Sequence, residues 1–295
     1  MLTYEGLKKE FVPCPLCNSS STKKIFKEET REIVTCKRCS MVYVNPRPTS
    51  EAIKQLYSTG ISRWTTSKEY IDKKTPFFED LLSRVQMIKN GGKILDVGCG
   101  IGLFLKLARE NEWEAYGVDI SNEDVKYARE KFRLNVHLGG LIEANYPEEF
   151  FDVVTMWDVI EHMADPLSHF KEIKKILKNG GYLFILTGNI DSDEAKQKGV
   201  EWDFLSNRSH IVFFSTQTLG EFLDLAGLKM ICLPNSTILP EFASSHMIRK
   251  AMKKMKILVR EPATFIDLLK KAYAILMKPK QTHDSSMMIL ATKKD

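Results

Sequence analysis

Apolar positions along this chain follow two rhythms. Short, largely apolar runs at residues 93–97, 114–118, 136–138, 151–157, 182–187, 228–233 and 287–292 have the length and composition of strands, the first of them fully buried. Between them, apolar residues recur every three or four positions, which predicts helices at 70–88, from 103 onward, and at 122–131, 166–177 and 215–226. Ser121 before the second of these core helices is a capping residue, and Asn-Gly-Gly follows both the 70–88 and the 166–177 segments as a helix stop. Strands alternating with helices predict an α/β domain: a seven-stranded, mostly parallel sheet in doubly wound topology.

The first run ends in Gly98, Gly100 and Gly102 before helical spacing resumes at Leu103 and Leu107. A strand, a glycine turn and a helix start bring backbone N–H groups close to a ligand with no Cβ in the way. Asp96, two residues before the first glycine, argues against a pyrophosphate, which it would repel, and for a ligand carrying an ammonium group. Asp119 ends the second run, about 20 residues beyond the glycines, where a carboxylate accepts both ribose hydroxyls. Alternatively, Asp119 serves only as a carboxylate at a helix entry.

Leu95-Asp-Val-Gly-Cys-Gly-Ile-Gly, Gly117-Val-Asp-Ile-Ser, Phe151-Asp-Val-Val-Thr-Met-Trp-Asp-Val-Ile-Glu-His, Leu177-Lys-Asn-Gly-Gly-Tyr-Leu and His210-Ile-Val-Phe-Phe-Ser occur in this order. In these stretches the chain resembles the class I S-adenosylmethionine-dependent methyltransferases over residues 93–235 and the last strand. The resemblance implies a Rossmann-like methyltransferase fold for 93–295. It also implies cofactor contacts from Asp96, Gly98, Gly100, Gly102 and Asp119, with Ile120, Leu141 and Ile142 around the adenine and Trp157 beside the cofactor. Leu141 stands where the family often has an acidic residue.

Ahead of that domain, Cys14-Pro-Leu-Cys17 and Cys36-Lys-Arg-Cys39 enclose a polar hairpin pattern at 22–35. Four thiolates at this spacing suit one tetrahedral zinc ion, which supplies folding energy that residues 1–47 are too few to gain from a core. Two disulfides are the alternative. With four protein ligands the zinc would be structural. The module is followed by Tyr43-Val-Asn-Pro-Arg-Pro-Thr and by Ser50-Glu-Ala-Ile-Lys-Gln-Leu-Tyr, which starts a capped helix. This combination resembles modules that precede methyltransferase domains of bacterial polysaccharide and small-molecule pathways. It implies a small acceptor, whereas Lys23, Lys24, Lys37 and Arg38 leave open a zinc ribbon that binds nucleic acid. Residues 48–92 form a helical linker, and the resemblance makes Tyr57, Trp64 and Tyr70 lid candidates.

Chemistry is expected at Asp158, Glu161 and His162, just past the fourth strand, with His210 on a later loop. A helical turn would put the first three on one face. Together the four suit a Mg²⁺ or similar ion that holds and acidifies an acceptor hydroxyl. The resemblance supports this, because ubiquinone-biosynthesis O-methyltransferases and small-RNA 2′-O-methyltransferases place metal ligands at matching positions, usually with Glu in place of Asp158. Without metal, His162 or His210 is a candidate general base. A purely structural role for Glu161 and His162 is the third reading.

Charge changes the picture in one place. The net charge is +5, yet residues 246–280 alone carry ten Lys/Arg against Glu261 and Asp267, so the core is mildly acidic. Met247, Ile248, Ala251, Met252, Met255, Leu258 and Val259, and then a second set after Pro262, repeat at helical spacing. An insertion at 236–282 is therefore a basic helical hairpin: a solvated surface, a cradle for an anionic acceptor, or a membrane-surface contact. No apolar run approaches the ~18 residues of a membrane span and the N-terminus has no signal-peptide core, so a cytoplasmic protein is expected. The function expected is methyl transfer to a small, anionic acceptor such as a sugar or nucleotide-sugar, most readily on oxygen. An RNA methyltransferase and a non-catalytic cofactor-binding subunit are the alternatives.

Overall fold

The computed structural model describes residues 6–27, 31–58, 65–231 and 285–294. The expected hairpin at 236–282, with its acceptor and membrane readings, lies outside the described residues, as does Trp64. Among the described residues no helix is long and apolar enough to cross a membrane.

In chain order the elements of the N-terminal part are β1 (Lys9–Glu10), β2 (Thr22–Lys27), β3 (Glu32–Cys36), β4 (Val42–Val44), β5 (Arg47–Pro48), α1 (Ser50–Ser58) and α2 (Lys68–Ile88). The central part comprises β6 (Gly92–Val97), α3 (Leu103–Glu110), β7 (Trp113–Asp119), α4 (Asn122–Phe132), β8 (Asn135–Leu138), β9 (Phe151–Trp157), α5 (Pro166–Ile176) and β10 (Leu177–Gly188). There follow α6 (Asp193–Lys198), α7 (Asp203–Ser206), β11 (Val212–Phe213), α8 (Thr216–Ala226), β12 (Leu228–Ile231) and β13 (Ser286–Lys293). Capping follows the side chains available. Ser67, Ser121 and Ser215 each accept from the N–H three residues on. Thr49 rather than Ser50 accepts from Ala52 N–H at the start of α1.

The seven-stranded sheet expected from the apolar runs is present, in the order β12-β13-β10-β9-β6-β7-β8. β13 runs antiparallel to both β10 and β12, while β10, β9, β6, β7 and β8 are mutually parallel. Apolar side chains alternate between its faces. Val153 and Trp157 pack with Leu82 and Val85 of α2 and with Phe104 of α3, whereas Val154 and Met156 pack with Ile173 of α5 and Phe222 of α8. Strand order reverses between β6 and β9, and a ligand crevice opens beyond the carboxyl ends of strands at such a point.

The N-terminal module is not an appendage. A second sheet, β11-β4-β3-β2, takes its fourth strand from the far side of the sequence: Val212 pairs with Tyr43 and Phe213 with Val42. Ile33, Met41 and Tyr43 are fully buried in the same apolar cluster as Ile160, Phe213 and Phe214. The Asn45 and Arg47 side chains of the Asn-Pro-Arg-Pro stretch tie the module together. Asn45 exchanges two hydrogen bonds with the Val12 backbone, and Arg47 donates to Glu10 and to the Ala164 carbonyl.

Candidate functional site

The crevice is built at the ends of β6 and β7. Asp96 lies opposite Thr155 across the β6–β9 ladder, and its Oδ1 accepts from Thr155 Oγ1 at 2.7 Å. The carboxyl is buried, which raises it to about 8, with the Asp119 charge adding to the effect. Gly98, Gly100 and Gly102 all take positive φ, 72°, 51° and 78°. Asp119, at the end of β7, closes the turn from the other side. Its Oδ2 accepts from Gly100 N–H at 2.7 Å and its Oδ1 from Ser121 N–H at 2.8 Å, while burial raises its pKa. Each carboxylate oxygen has a second lone pair, so Asp119 retains acceptor capacity for ribose hydroxyls.

Neighbouring positions depart from the expectations. Leu141 is buried in the core, 2% exposed, whereas Ile142 is 49% exposed. Of the three residues expected around the adenine, Leu141 is thus part of the core, Ile142 is exposed and Ile120 is half-buried. Trp157 is enclosed between Phe104 and Phe184, at 5.3 and 6.5 Å between ring centroids, and its Nε1 has no hydrogen-bond partner. Asp124, which sequence reasoning passed over, is buried on the first turn of α4 and raised to about 6 by that burial. Thr65 donates to it at 3.4 Å, and Tyr70 on α2 feels the charges of both Asp124 and Asp158. The residues at the start of α2 thus lie near Asp124 and Asp158.

Past β9 the chain makes a single 3-10 turn, Ile160–His162, instead of a longer helix. Asp158 is left exposed in the left-handed region at φ 52°, apart from the other three candidates. Glu161, His162 and His210 do converge, each offering a ligand atom within 4.8 Å of the others. Glu161 is fully buried. Its Oε2 accepts from Thr187 Oγ1 at 3.0 Å, and its Oε1 has no partner among the described residues. Burial and then the Asp158 charge raise its carboxyl to about 8.

The two imidazoles meet edge to face with centroids 4.7 Å apart. A backbone carbonyl only accepts, so His162 donates from Nδ1 to Ser209 O (2.9 Å) and His210 from Nδ1 to Phe204 O (2.7 Å). Both rings therefore present Nε2 as the lone-pair nitrogen, and the His210 Nε2 accepts from the Asn207 amide at 3.0 Å. Desolvation lowers His162 to about 4 and His210 to about 3. A buried Glu161 oxygen without a partner among the described residues, beside the Nε2 of His162, fits a divalent cation, with His210 Nε2 a third ligand only if released from Asn207. Thr187, Ser209 and Asn207, which orient this trio, carried no signal in the sequence beyond lying near its members.

At the N-terminus the four cysteines assemble. Cys14 Sγ lies 3.4 Å from Cys39 Sγ and Cys17 Sγ 3.5 Å from Cys36 Sγ, with all four sulfurs within 4.8 Å of one another. Each Cys-x-x-Cys turn closes in the same way: Asn18 N–H donates to Cys14 O and Ser40 N–H to Cys36 O, and both residues take positive φ. Four sulfurs at Zn–S distances of ~2.3 Å would stand ~3.8 Å apart, so the set fits tetrahedral zinc. Burial pushes the Cys14 thiol up to about 11. At Cys36 burial is outweighed by the N–H groups of Arg38 and Cys39, which bring it down to about 7.

Residues 67–233 match the family described as "Methyltransferase domain". The chain belongs to that family. Relatives of this methyltransferase domain include the 2-methyl-6-phytyl-1,4-hydroquinone methyltransferase of Synechocystis, 29% identical over 174 residues, 55% of each chain. Another is the ubiquinone biosynthesis O-methyltransferase of Idiomarina loihiensis, 32% identical over 155 residues, 48% of this chain and 64% of the relative. The chain thus spans between about half and two thirds of the curated relatives it matches. Among solved structures, the phosphoethanolamine N-methyltransferase 2 of Haemonchus contortus in complex with S-adenosyl-L-methionine superposes with a TM-score of 0.50 at 17% identity. That match covers 86% of this chain and 63% of that one, and shows the shared fold.

Proposed function

We propose that this methyltransferase domain binds S-adenosylmethionine in the crevice at β6 and β7 and methylates a hydroxyl of a small acceptor held over Glu161, His162 and His210. The observation that carries the reading is the convergence of these three side chains, with the unpartnered Glu161 Oε1 among them, past the end of β9. When bound, the cofactor supplies a methyl group already activated on a sulfonium, so the chain's own task is to align the acceptor and manage its proton.

Asp119, and Asp96 once a cationic ligand favours loss of its proton, would supply negative charge where a cationic amino-acid and ribose ligand needs it, and the glycine turn lets that ligand approach the backbone. His162, fixed by Ser209 O, keeps Nε2 as its lone-pair nitrogen. An imidazole lowered to about 4 is neutral at working pH but a weak base towards an ordinary alcohol. That weakness favours the divalent-cation reading: Glu161 and the His162 Nε2 would be ligands, His210 Nε2 would join them only with the Asn207 amide turned away from it, and the ion would supply Lewis-acid activation of the hydroxyl. Two nitrogens beside one carboxylate suit Mn²⁺, Co²⁺ or Zn²⁺ better than Mg²⁺. Asp158 contributes through its charge on Glu161 and not as a fourth ligand. The zinc reading of the cysteine set stands beside this as a structural site.

The relatives' names point to hydroquinone and ubiquinone-pathway acceptors, and a phenolic hydroxyl is acidic enough for such a site. The sugar or nucleotide-sugar expectation rests on the N-terminal resemblance and on the basic charge of residues 246–280, and the polysaccharide pathway on the resemblance alone. Label transfer from S-adenosylmethionine to a panel of quinols, sugar nucleotides and RNA tests the acceptor class. His162→Ala and His210→Ala should each lower kcat at least ~100-fold with S-adenosylhomocysteine affinity unchanged. EDTA should abolish transfer and Mn²⁺ or Co²⁺ restore it. Near-normal turnover in both histidine variants would refute this site, and indifference to EDTA would leave the general-base role.

A further inference from the structure

The two loops that carry Glu161, His162 and His210 are both held by the N-terminal cysteine module. Arg31, 6% exposed and just ahead of β3, forks onto the 203–211 loop. Its Nη2 donates to Leu205 O at 2.7 Å and its Nη1 to Asn207 O at 2.9 Å. Asn207 is the hub of that loop. Its carbonyl also accepts from His210 N–H, its amide donates to His210 Nε2, and its Oδ1 accepts from Ser209 N–H and Oγ. Ser209 O in turn fixes the His162 ring. β4 grips the same loop further on, where Val44 N–H donates to Ile211 O, and Ile211 N–H donates to Glu161 O. On the other loop, Arg47 donates to Ala164 O, two residues beyond His162.

We propose that Arg31 is a positioning residue for the methyl-transfer site, holding the 205–210 backbone so that Asn207 and Ser209 set both imidazoles. The inference rests on the functional reading above for the word "site", but its geometry does not. A planar fork across two carbonyls in a buried position is a job for guanidinium and not for a point charge. The cysteine module then does more than fold itself: it completes, by strand addition and two arginines, a loop that the methyltransferase domain does not brace alone.

The test uses the full chain without acceptor. Arg31→Met and Arg31→Lys are compared with wild type by amide hydrogen exchange of residues 205–211 and by long-range ¹H–¹⁵N spectra of the histidine rings. Thiol-reagent titration of the four cysteines and calorimetry with S-adenosylhomocysteine serve as checks. In Arg31→Met, exchange in the loop should rise at least ~10-fold, the scale of losing charged hydrogen bonds. His210 should lose its fixed Nδ1–H tautomer, with the thiols still protected and S-adenosylhomocysteine affinity within twofold. Arg31→Lys keeps the charge but loses the fork and should recover at most part of both signals. Unchanged exchange and an unchanged His210 tautomer in Arg31→Met overturn the proposal. Should that variant expose the thiols, the lysine variant decides by the same two readouts. If His162→Ala and His210→Ala both retain turnover, the functional reading fails while these substrate-free readouts still judge Arg31.

Discussion

Replacing Gly102 by alanine isolates what the glycine turn needs from the fold. Gly102 enters α3 at φ 78°, ψ 23°, where an L side chain costs ~1–2 kcal/mol. Its Cβ would also lie 2.5 Å from Leu134 Cδ1 and 3.2 Å from Ala128 Cβ. Leu134 is the end of a flexible side chain, but it is buried, and Ala128 sits fully enclosed on α4. Relief therefore means repacking against α4, an overpacking cost of ~1–3 kcal/mol. The sum is ~2–5 kcal/mol, a fall in thermal midpoint of about 3–8 °C for a chain of this length. Gly100→Ala is the contrast. Its φ is 51°, yet nothing stands within 4 Å of the new methyl, so only the conformational cost of ~1–2 kcal/mol applies to stability. That methyl points to the open side of the turn and should weaken S-adenosylhomocysteine binding at least ~10-fold, about 1.4 kcal/mol. Thermal unfolding paired with calorimetric titration reads both. If Gly102→Ala is as stable as wild type, or Gly100→Ala is the less stable of the two, the geometry has been misread.

Asp119→Ala should lose S-adenosylhomocysteine binding in calorimetry; wild-type affinity, or tighter binding of NAD, would refute the crevice assignment. Metal analysis of protein purified without added zinc should find one zinc per chain, falling on Cys36→Ser; a value near zero with free thiols rules the site out. Stability of the ligand-free protein should fall from pH 6.5 to 8. Asp96 and Glu161 stay protonated in the fold up to about pH 8 but ionise near 4 when unfolded. Their contribution is thus full below pH 4 and lost as pH rises through 8, by up to about 1.4 kcal/mol per pH unit for each group. Asp96→Asn should roughly halve that slope, and a flat urea-unfolding profile from 6.5 to 8 would refute both shifts. The histidines act oppositely. His162 and His210, neutral in the fold down to about 4 and 3, contribute stability above pH 6.5 that is lost on acidification.

Apolar runs, helix caps, the glycine turn with Asp96 and Asp119, and the two Cys-x-x-Cys knuckles were legible in the chain alone. Each signal depends on residues a few positions apart, or on a βα unit whose geometry is standard, so local conformational preference decides it. The doubly wound, mostly parallel sheet followed, because parallel strands joined by helices admit few arrangements, while the strand order came from the structure. What happens past Trp157 was not legible. Helical spacing would have put Asp158 beside Glu161, but a left-handed Asp158 and a 3-10 turn turn it outward. Leu141 and Ile142 part in the same way, one into the core and one into solvent. Only tertiary structure brought His210 to His162, added Val212 and Phe213 to the strand of Tyr43, and laid Arg31 across Leu205 and Asn207. Those contacts join segments dozens to well over a hundred residues apart. They exist because a buried guanidinium and open backbone carbonyls must find partners once the core has closed around them, and no local pattern records which partner that will be.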